Sequence, residues 1–239
     1  MPSPTFQFKQ FTIHHDRCAM KVGTDGVLLG AWVDLHGCQR ILDVGTGSGL
    51  IALMLAQRSE AHIDAIEVDT DAVQQARENV QRSPWPTQVD VLEQSLQDYA
   101  QQHSYDLIVS NPPFFQPTQS NTKQQRRTAR HQDSLTPAEL VQHASQLLRA
   151  NGQLSAIYPT QEYADFASLA AQHGFVCRRT LHVKGRDYKP VKRVLSQWSL
   201  TPDARDSECH EETLIIENHE RHDYTPAYRA LTRDFYLRF

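Results

Sequence analysis

Short, continuously apolar runs alternate along this chain with longer stretches of helical spacing, a pattern that predicts a sheet covered by helices. Strands are expected at Arg40 to Val44, His62 to Glu67, Gln88 to Leu92, Asp106 to Ser110 and Gln153 to Tyr158. Helical patterns fall between them, over residues 49–58, 70–82, 95–103 and 136–149. The last opens with Thr136 as N-cap and Pro137 at the first helical position, where a missing N–H leaves no bond unmade. After a further helix near 161–173, Phe175 to Val183 and Val191 to Leu200 read as two strands joined by a loop containing Gly185. Thr225-Pro226 repeats the cap-and-proline pair and opens a C-terminal helix. Right-handed crossovers between the first five strands give an α/β, doubly wound and mostly parallel seven-stranded sheet, finished by a C-terminal antiparallel hairpin.

Composition narrows the class. At 239 residues, 39% hydrophobic and 22% charged, the chain is long enough for one substantial domain but not for two. No run approaches the ~18 apolar residues of a membrane helix, and MPSPTFQFKQ lacks the basic patch and apolar core of a signal peptide. A cytoplasmic protein without a membrane partner is expected. Cys18, Cys38, Cys177 and Cys209 are scattered without a CxxC pair, which suits reduced thiols rather than a disulfide frame or zinc site. His14, His15, His210, His219 and His222 lie in polar segments without regular ligand spacing, so they read as solvated, and no metal is expected. Trp32, Trp85 and Trp198 read as core or edge packing, with Trp85 open to exposure between two prolines.

The net charge of -4 hides an uneven distribution. Residues 123–130 and 178–193 together carry +10, which leaves -14 for the remainder. Two concentrated basic segments are either solvated loops or a phosphate-binding surface. Glycine is uneven too, because seven of ten fall within residues 23–49 and none between 50 and 151. Backbone that must approach a ligand closely is expected in that stretch.

ILDVGTGSGLIALMLAQR places a strand, a turn with Gly45, Thr46, Gly47 and Gly49, and then a helix, which lays a small ligand across the carboxyl edge of a sheet. Glu67 ends the next strand, where a carboxylate can accept from both ribose hydroxyls. These features suit a nucleoside-containing cofactor, whether a nicotinamide dinucleotide or S-adenosyl-L-methionine. Asp69 and Asp71 flank the start of a helix and read as caps rather than ligands. The fourth strand then runs into Asn111-Pro112-Pro113-Phe114. An aromatic amine is a poor nucleophile until its nitrogen pyramidalises, so acceptors for its two N–H bonds assist transfer. The Asn111 side-chain carbonyl and the Pro112 main-chain carbonyl provide them, Pro113 stiffens the turn, and Phe114 offers a stacking face. Asn111 through Phe114 are therefore the candidate catalytic residues. A proline-stiffened turn is the bland alternative.

DVGTGSG, with Asp43 in the strand end, resembles the first motif of class I S-adenosylmethionine-dependent methyltransferases, and SNPPFF resembles the fourth motif of their amino-methylating members. The fold implied is Rossmann-like. Together with FKQFTIHHDRCAMKVGTDGVLLGAW and YTPAYRALTRDFYLRF, these motifs make the chain similar nearly throughout to the bacterial tRNA(Val) adenine-37 N6-methyltransferase family. That resemblance implies an enzyme that methylates N6 of adenine 37, beside the anticodon of tRNA(Val), by direct in-line transfer. It carries cofactor contacts onto Lys21, Thr24, Asp25, Asp43, Gly45, Thr46, Gly47, Gly49, Glu67, Val68, Ser95, Leu96 and Asn111. Ser95 stands where many relatives place an Asp for the adenine amine, so its hydroxyl or the Leu96 amide is expected there instead. Thr24-Asp25 also reads as a helix cap before VLLGAWV. Lys123, Arg126, Arg127 and Arg130, with Lys184, Arg186, Lys189, Lys192 and Arg193, would grip the anticodon arm. The chain divides into a cofactor-covering segment (1–39), a core (40–200) and a C-terminal extension with a helix (201–239), expected to act as a monomer. A glutamine methyltransferase of release factors, a non-catalytic RNA-binding module on the same scaffold and, more distantly, an NAD-dependent oxidoreductase are the alternatives.

Overall fold

The computed structural model describes residues 3–99, 104–112, 135–200 and 208–238. An N-terminal hairpin, β1 (Thr5–Gln7) and β2 (Thr12–His14), precedes helix α1 (Thr24–Trp32). Then come β3 (Arg40–Val44), α2 (Leu50–Arg58), β4 (His62–Glu67), α3 (Thr70–Gln81), β5 (Val89–Glu93) and β6 (Tyr105–Ser110). The second half contains α4 (Pro137–Leu147), β7 (Leu148–Pro159), α5 (Thr160–Gln172), β8 (Phe175–Lys184), β9 (Val191–Leu200), β10 (His210–Ile215) and α6 (Pro226–Thr232).

Eight strands form the main sheet in the order β10-β8-β9-β7-β6-β3-β4-β5. Strands β5, β4, β3, β6 and β7 are mutually parallel, and β9 runs antiparallel to both β7 and β8. This is the mostly parallel, doubly wound sheet with a terminal hairpin that the pattern predicts, carrying one strand more. The additional strand, β10, pairs parallel to β8 along His210 to Ile215. HEETLI reads as polar because β10 is an edge strand whose first four residues are exposed. The helix expected over 95–103 is absent from its described part, where Ser95 and Asp98 close a turn instead. Thr136 does cap α4, in a capping box with Glu139, and Pro137 follows it.

The sheet is apolar on both sides, as a doubly covered parallel sheet must be. On one face Ile41, Ile63, Leu107 and Val109 pack with α1, α2 and the β1–β2 hairpin. On the other, Leu42, Val44, Ile66 and Ile108 meet Leu140, Ala144, Phe166 and Ala170 from α4 and α5. Trp32 and Trp198 are buried here, and Trp85 is half-buried with its ring edge toward Phe11. The chain ends meet: Lys9 N–H donates to Phe235 O at 2.8 Å, and Phe8 stacks on Tyr236.

Helix α3 links the N-terminal segment to the sheet. Its spacing buries Ala72, Val73, Gln75, Ala76, Asn79 and Val80 on one stripe, two of them polar. Asn79 Oδ1 accepts from His14 N–H at 3.0 Å, while its Nδ2 donates to His14 O and Ser48 O, both at 2.8 Å. Gln75 Oε1 accepts from Arg17 N–H at 2.8 Å, and its Nε2 donates to Asp16. The solvated reading of His15 is corrected, because the ring is buried. Its Nδ1 accepts from Val22 N–H at 3.1 Å, which leaves Nε2 to donate to Ser3 O.

Candidate active site

Strand order reverses at β3, with β4 and β5 to one side and β6 to the other. A crevice opens at such a switch point beyond the carboxyl ends of the strands. Register puts Val44 beside both Ser110 and Ile66, so the glycine turn and Asn111 leave the sheet at one level. Ser110 Oγ donates to Val44 O at 3.0 Å and pins the two strand ends together. The Ile66 carbonyl accepts from Gly45 N–H and Thr46 N–H at 3.0 and 3.1 Å.

Gly45, Gly47 and Gly49 have φ of +71°, +56° and +81°, a region that strains any residue with a Cβ. Nothing stands within 4 Å of where a Cβ would project from Gly45 or Gly47, so the turn faces open space. Asp43 lies fully buried beneath it. Its Oδ2 accepts from Thr46 Oγ1 at 2.6 Å and Ala52 N–H at 3.1 Å, which braces the turn against α2. Its Oδ1 is buried without a partner among the described residues. Burial pushes the Asp43 carboxyl up to about 7, despite the two hydrogen bonds that favour its ionised form.

Glu67 closes over the other side of the turn. Its Oε2 accepts from Gly47 N–H at 3.0 Å, and its Oε1 from Val68 and Asp69 N–H at 2.8 and 3.0 Å. A carboxylate offers about four acceptor positions, so Oε2 retains capacity for a hydroxyl donor. Asp69 caps α3 by accepting from Ala72 N–H at 3.1 Å, as its position predicts.

Two cavities meet at Asn111. A cleft of about 210 Å³ is lined by Gly45, Gly47, Glu67, Val68, Leu96 and Asn111, among others. A second, of about 410 Å³, includes Lys21, Thr24, Asp25, Gly45, Asn111 and Arg193 in its wall. Asn111 Oδ1 is buried, with no donor among the described residues, and Pro112 beside it is buried as well. The structure thus brings together most of the predicted cofactor residues. Ser95 is an exception. Its hydroxyl donates to Asp98 Oδ2 at 2.7 Å and accepts from Asp98 N–H at 3.1 Å, while Gln94, Leu96 and Gln97 face the cleft. The cap reading of Thr24-Asp25 is likewise corrected: Gly23 holds the N-cap position with no side-chain bond. Asp25 Oδ2 instead accepts from Arg193 Nε at 2.7 Å, which draws Arg193 out of the basic hairpin and onto the cavity wall.

Lys184 pairs with Asp187 at 3.4 Å, Arg186 with Glu217 at 3.5 Å, and Lys189 lies over the Tyr188 ring, while Lys192 is exposed. Pro113, Phe114, Lys123, Arg126, Arg127 and Arg130 lie outside the described residues. Cys18, Ala19 and Met20 also line the smaller cleft, three residues of the expected cofactor-covering segment that no motif singles out. Burial pushes the Cys18 thiol up to about 11. Among the described residues, His62, Asp64 and Asp90 group at the opposite end of the strands. There Asp64 already accepts from Arg40 Nη2 at 2.9 Å, so the group braces the sheet rather than serving the crevice.

A parallel sheet with a glycine turn and a strand-end Asn-Pro at its switch point defines a small methyltransferase domain, and residues 21–176 match the family model described as Methyltransferase small domain. A Trichodesmium erythraeum protein named tRNA1(Val) (adenine(37)-N6)-methyltransferase is 49% identical over 98% of each chain. The Parabacteroides distasonis protein of the same name is 45% identical over the whole of both. The chain belongs to this tRNA1(Val) (adenine(37)-N6)-methyltransferase family. In fold it is similar to an Agrobacterium tumefaciens protein described as a predicted O-methyltransferase, with TM-score 0.68 and 20% identity over 88% of this chain and 96% of that one. Pyrococcus horikoshii TYW2 in complex with MeSAdo gives TM-score 0.56 and 15% identity over 79% and 67%. No helix of the described residues is long and apolar enough to cross a membrane.

Proposed function

We propose that this protein methylates N6 of adenine 37 in tRNA(Val), with S-adenosyl-L-methionine as donor. The observation that carries the reading is Asn111 Oδ1, a buried acceptor without a donor among the described residues, at the junction of two cavities. An amide oxygen so placed suits an incoming N–H.

The smaller cleft fits the cofactor on its own chemistry. Open space above Gly45 and Gly47 admits a ligand against the backbone, and Glu67 Oε2 can accept from a ribose hydroxyl. Val68 and the Leu96 amide would hold its adenine end, and Asp43, Thr46 and Gly49 shape the turn that would hold its amino-acid end. When bound, S-adenosylmethionine supplies the electrophilic methyl group. The chain's own part is to orient the target amine. Asn111 Oδ1 and Pro112 O accept its two N–H bonds and favour the pyramidal nitrogen, and Phe114 stacks on the base. The amine's proton leaves to solvent after transfer. Lys21, Thr24 and Asp25 belong to an N-terminal segment that covers this site within a single methyltransferase domain.

On this reading the two basic segments hold the anticodon arm, Lys123 to Arg130, which follow the catalytic turn in sequence, and Lys184 to Lys192 on the hairpin, with Arg193 nearest the target nucleotide. The protein works as a cytoplasmic monomer. The test is transfer of radiolabelled methyl from S-adenosylmethionine to bulk tRNA from a strain lacking the enzyme, followed by nucleoside analysis. N6-methyladenosine beside the anticodon of tRNA(Val) is expected. Absence of label in tRNA, with cofactor still bound, would redirect the search to protein amide acceptors.

A further inference from the structure

Beside the cavity that holds Asn111, the N-terminal hairpin and the C-terminal segment enclose a groove of about 740 Å³. Phe6, Tyr224, Tyr228 and Tyr236 line it together with Arg229 and Arg238. The rings run in series, with Tyr224 stacked on Tyr228 at 5.2 Å between centroids, Tyr228 and Tyr236 at 6.4 Å, and Tyr236 against Phe6 at 6.0 Å. Core packing accounts for Tyr228, which is buried. Phe6, Tyr224 and Tyr236 pack against that core along one side and stay half-buried along the groove, with Leu237 beside them at 54% exposed.

Two features connect this groove to the proposed substrate. Thr24 lines both it and the cavity at Asn111, so the two spaces adjoin at the start of α1. Glu217, also in its wall, pairs with Arg186 of the basic hairpin at 3.5 Å and accepts from His222 N–H at 2.9 Å. Aromatic faces, guanidinium groups and one carboxylate are complementary to a base face, a phosphate and an exocyclic amine respectively. A base drawn from its stack into a catalytic pocket also leaves its neighbours without stacking partners.

We infer that this groove takes an unpaired nucleotide flanking the target adenine and stacks its base at Tyr224. The inference rests on the proposed tRNA substrate. Its test is a cycle between the full-length chain and an anticodon-arm RNA of tRNA(Val), intact or abasic at either nucleotide next to the target. One abasic position should weaken wild-type binding about tenfold. Tyr224→Leu should weaken binding of intact RNA to the same degree and remove the penalty of the abasic position, while Tyr224→Phe retains both affinity and penalty. Independent, additive losses, or no abasic penalty at either position with the wild-type chain, would overturn the inference. Should Tyr224→Leu fail to fold, Arg238→Gln at an exposed position takes its place, with a threefold or greater loss expected and unchanged affinity counting against the groove. A wild-type chain that methylates no tRNA defeats the functional reading itself. Methylation indifferent to the flanking bases defeats only the stacking groove.

Discussion

Asn111 and Asp43 each keep a buried oxygen without a donor among the described residues, a placement that costs about 1–3 kcal/mol per atom and contributes nothing to folding. Replacing Asn111 with alanine should therefore leave the thermal midpoint equal or higher while methyl transfer falls about a hundredfold or more. Calorimetric cofactor affinity should change little, and undiminished turnover would remove Asn111 from its role. Asp43 makes a pH-dependent prediction. Its carboxyl titrates near 7 in the folded chain but near its ordinary 3.8 when unfolded. Between those values the folded state holds a proton that the unfolded state has released, so stability from this group falls as pH rises from about 4 to about 7. Asp43→Asn stays neutral throughout. In the protein without added cofactor, the midpoint difference between variant and wild type should drift across that window, and a constant difference would contradict the burial argument. Both residues were legible in the sequence through the motifs they belong to, a strand-end acid before clustered glycines and a strand-end Asn-Pro-Pro before an aromatic, which resemble those of methyltransferases. Ser95 was not, since its local turn with Asp98 competes for the hydroxyl and no periodicity reports that.

At the scale of elements, α3 does more than cover the sheet. Asn79 joins β2 to the glycine turn through His14 and Ser48. Asn79→Ala should cost about 1–3 kcal/mol in urea unfolding, because the buried partner groups lose their bonds together. It should also weaken cofactor binding, whereas alanine at exposed Gln74 on that helix should leave cofactor affinity alone. Equal cofactor affinity in Asn79→Ala and wild type would show that the turn holds its shape without the clamp. The apolar strands and capped helices could be read from sequence because burial and capping leave local signatures. The link made by α3 could not, since a buried Asn or Gln differs from a solvated one only by what the fold places opposite it. Strand β10 was missed for a related reason: its pairing lies entirely in the backbone bonded to β8, and its side chains advertise solvent.

For the whole molecule, an acidic body with concentrated basic segments predicts a binding surface that is strongly local. On the proposed reading, Lys192→Ala should weaken tRNA binding and reduce the slope of log affinity against log salt by about one. An unchanged slope in filter binding would detach the hairpin from the RNA. The sequence located this charge but not its division of labour. Arg193 is drawn inward by Asp25, 168 residues earlier in the chain. That closure carries a consequence for biosynthesis. The glycine turn and the Asn-Pro segment leave the ribosome early, yet one wall of their cavity depends on Arg193, and the hairpin that carries it is bonded in turn to Ile216 and Glu217 through Lys184 O and Gly185 O. A nascent chain can therefore acquire its catalytic motifs well before it acquires the pocket, whose wall waits for a residue synthesised some eighty positions after Asn111.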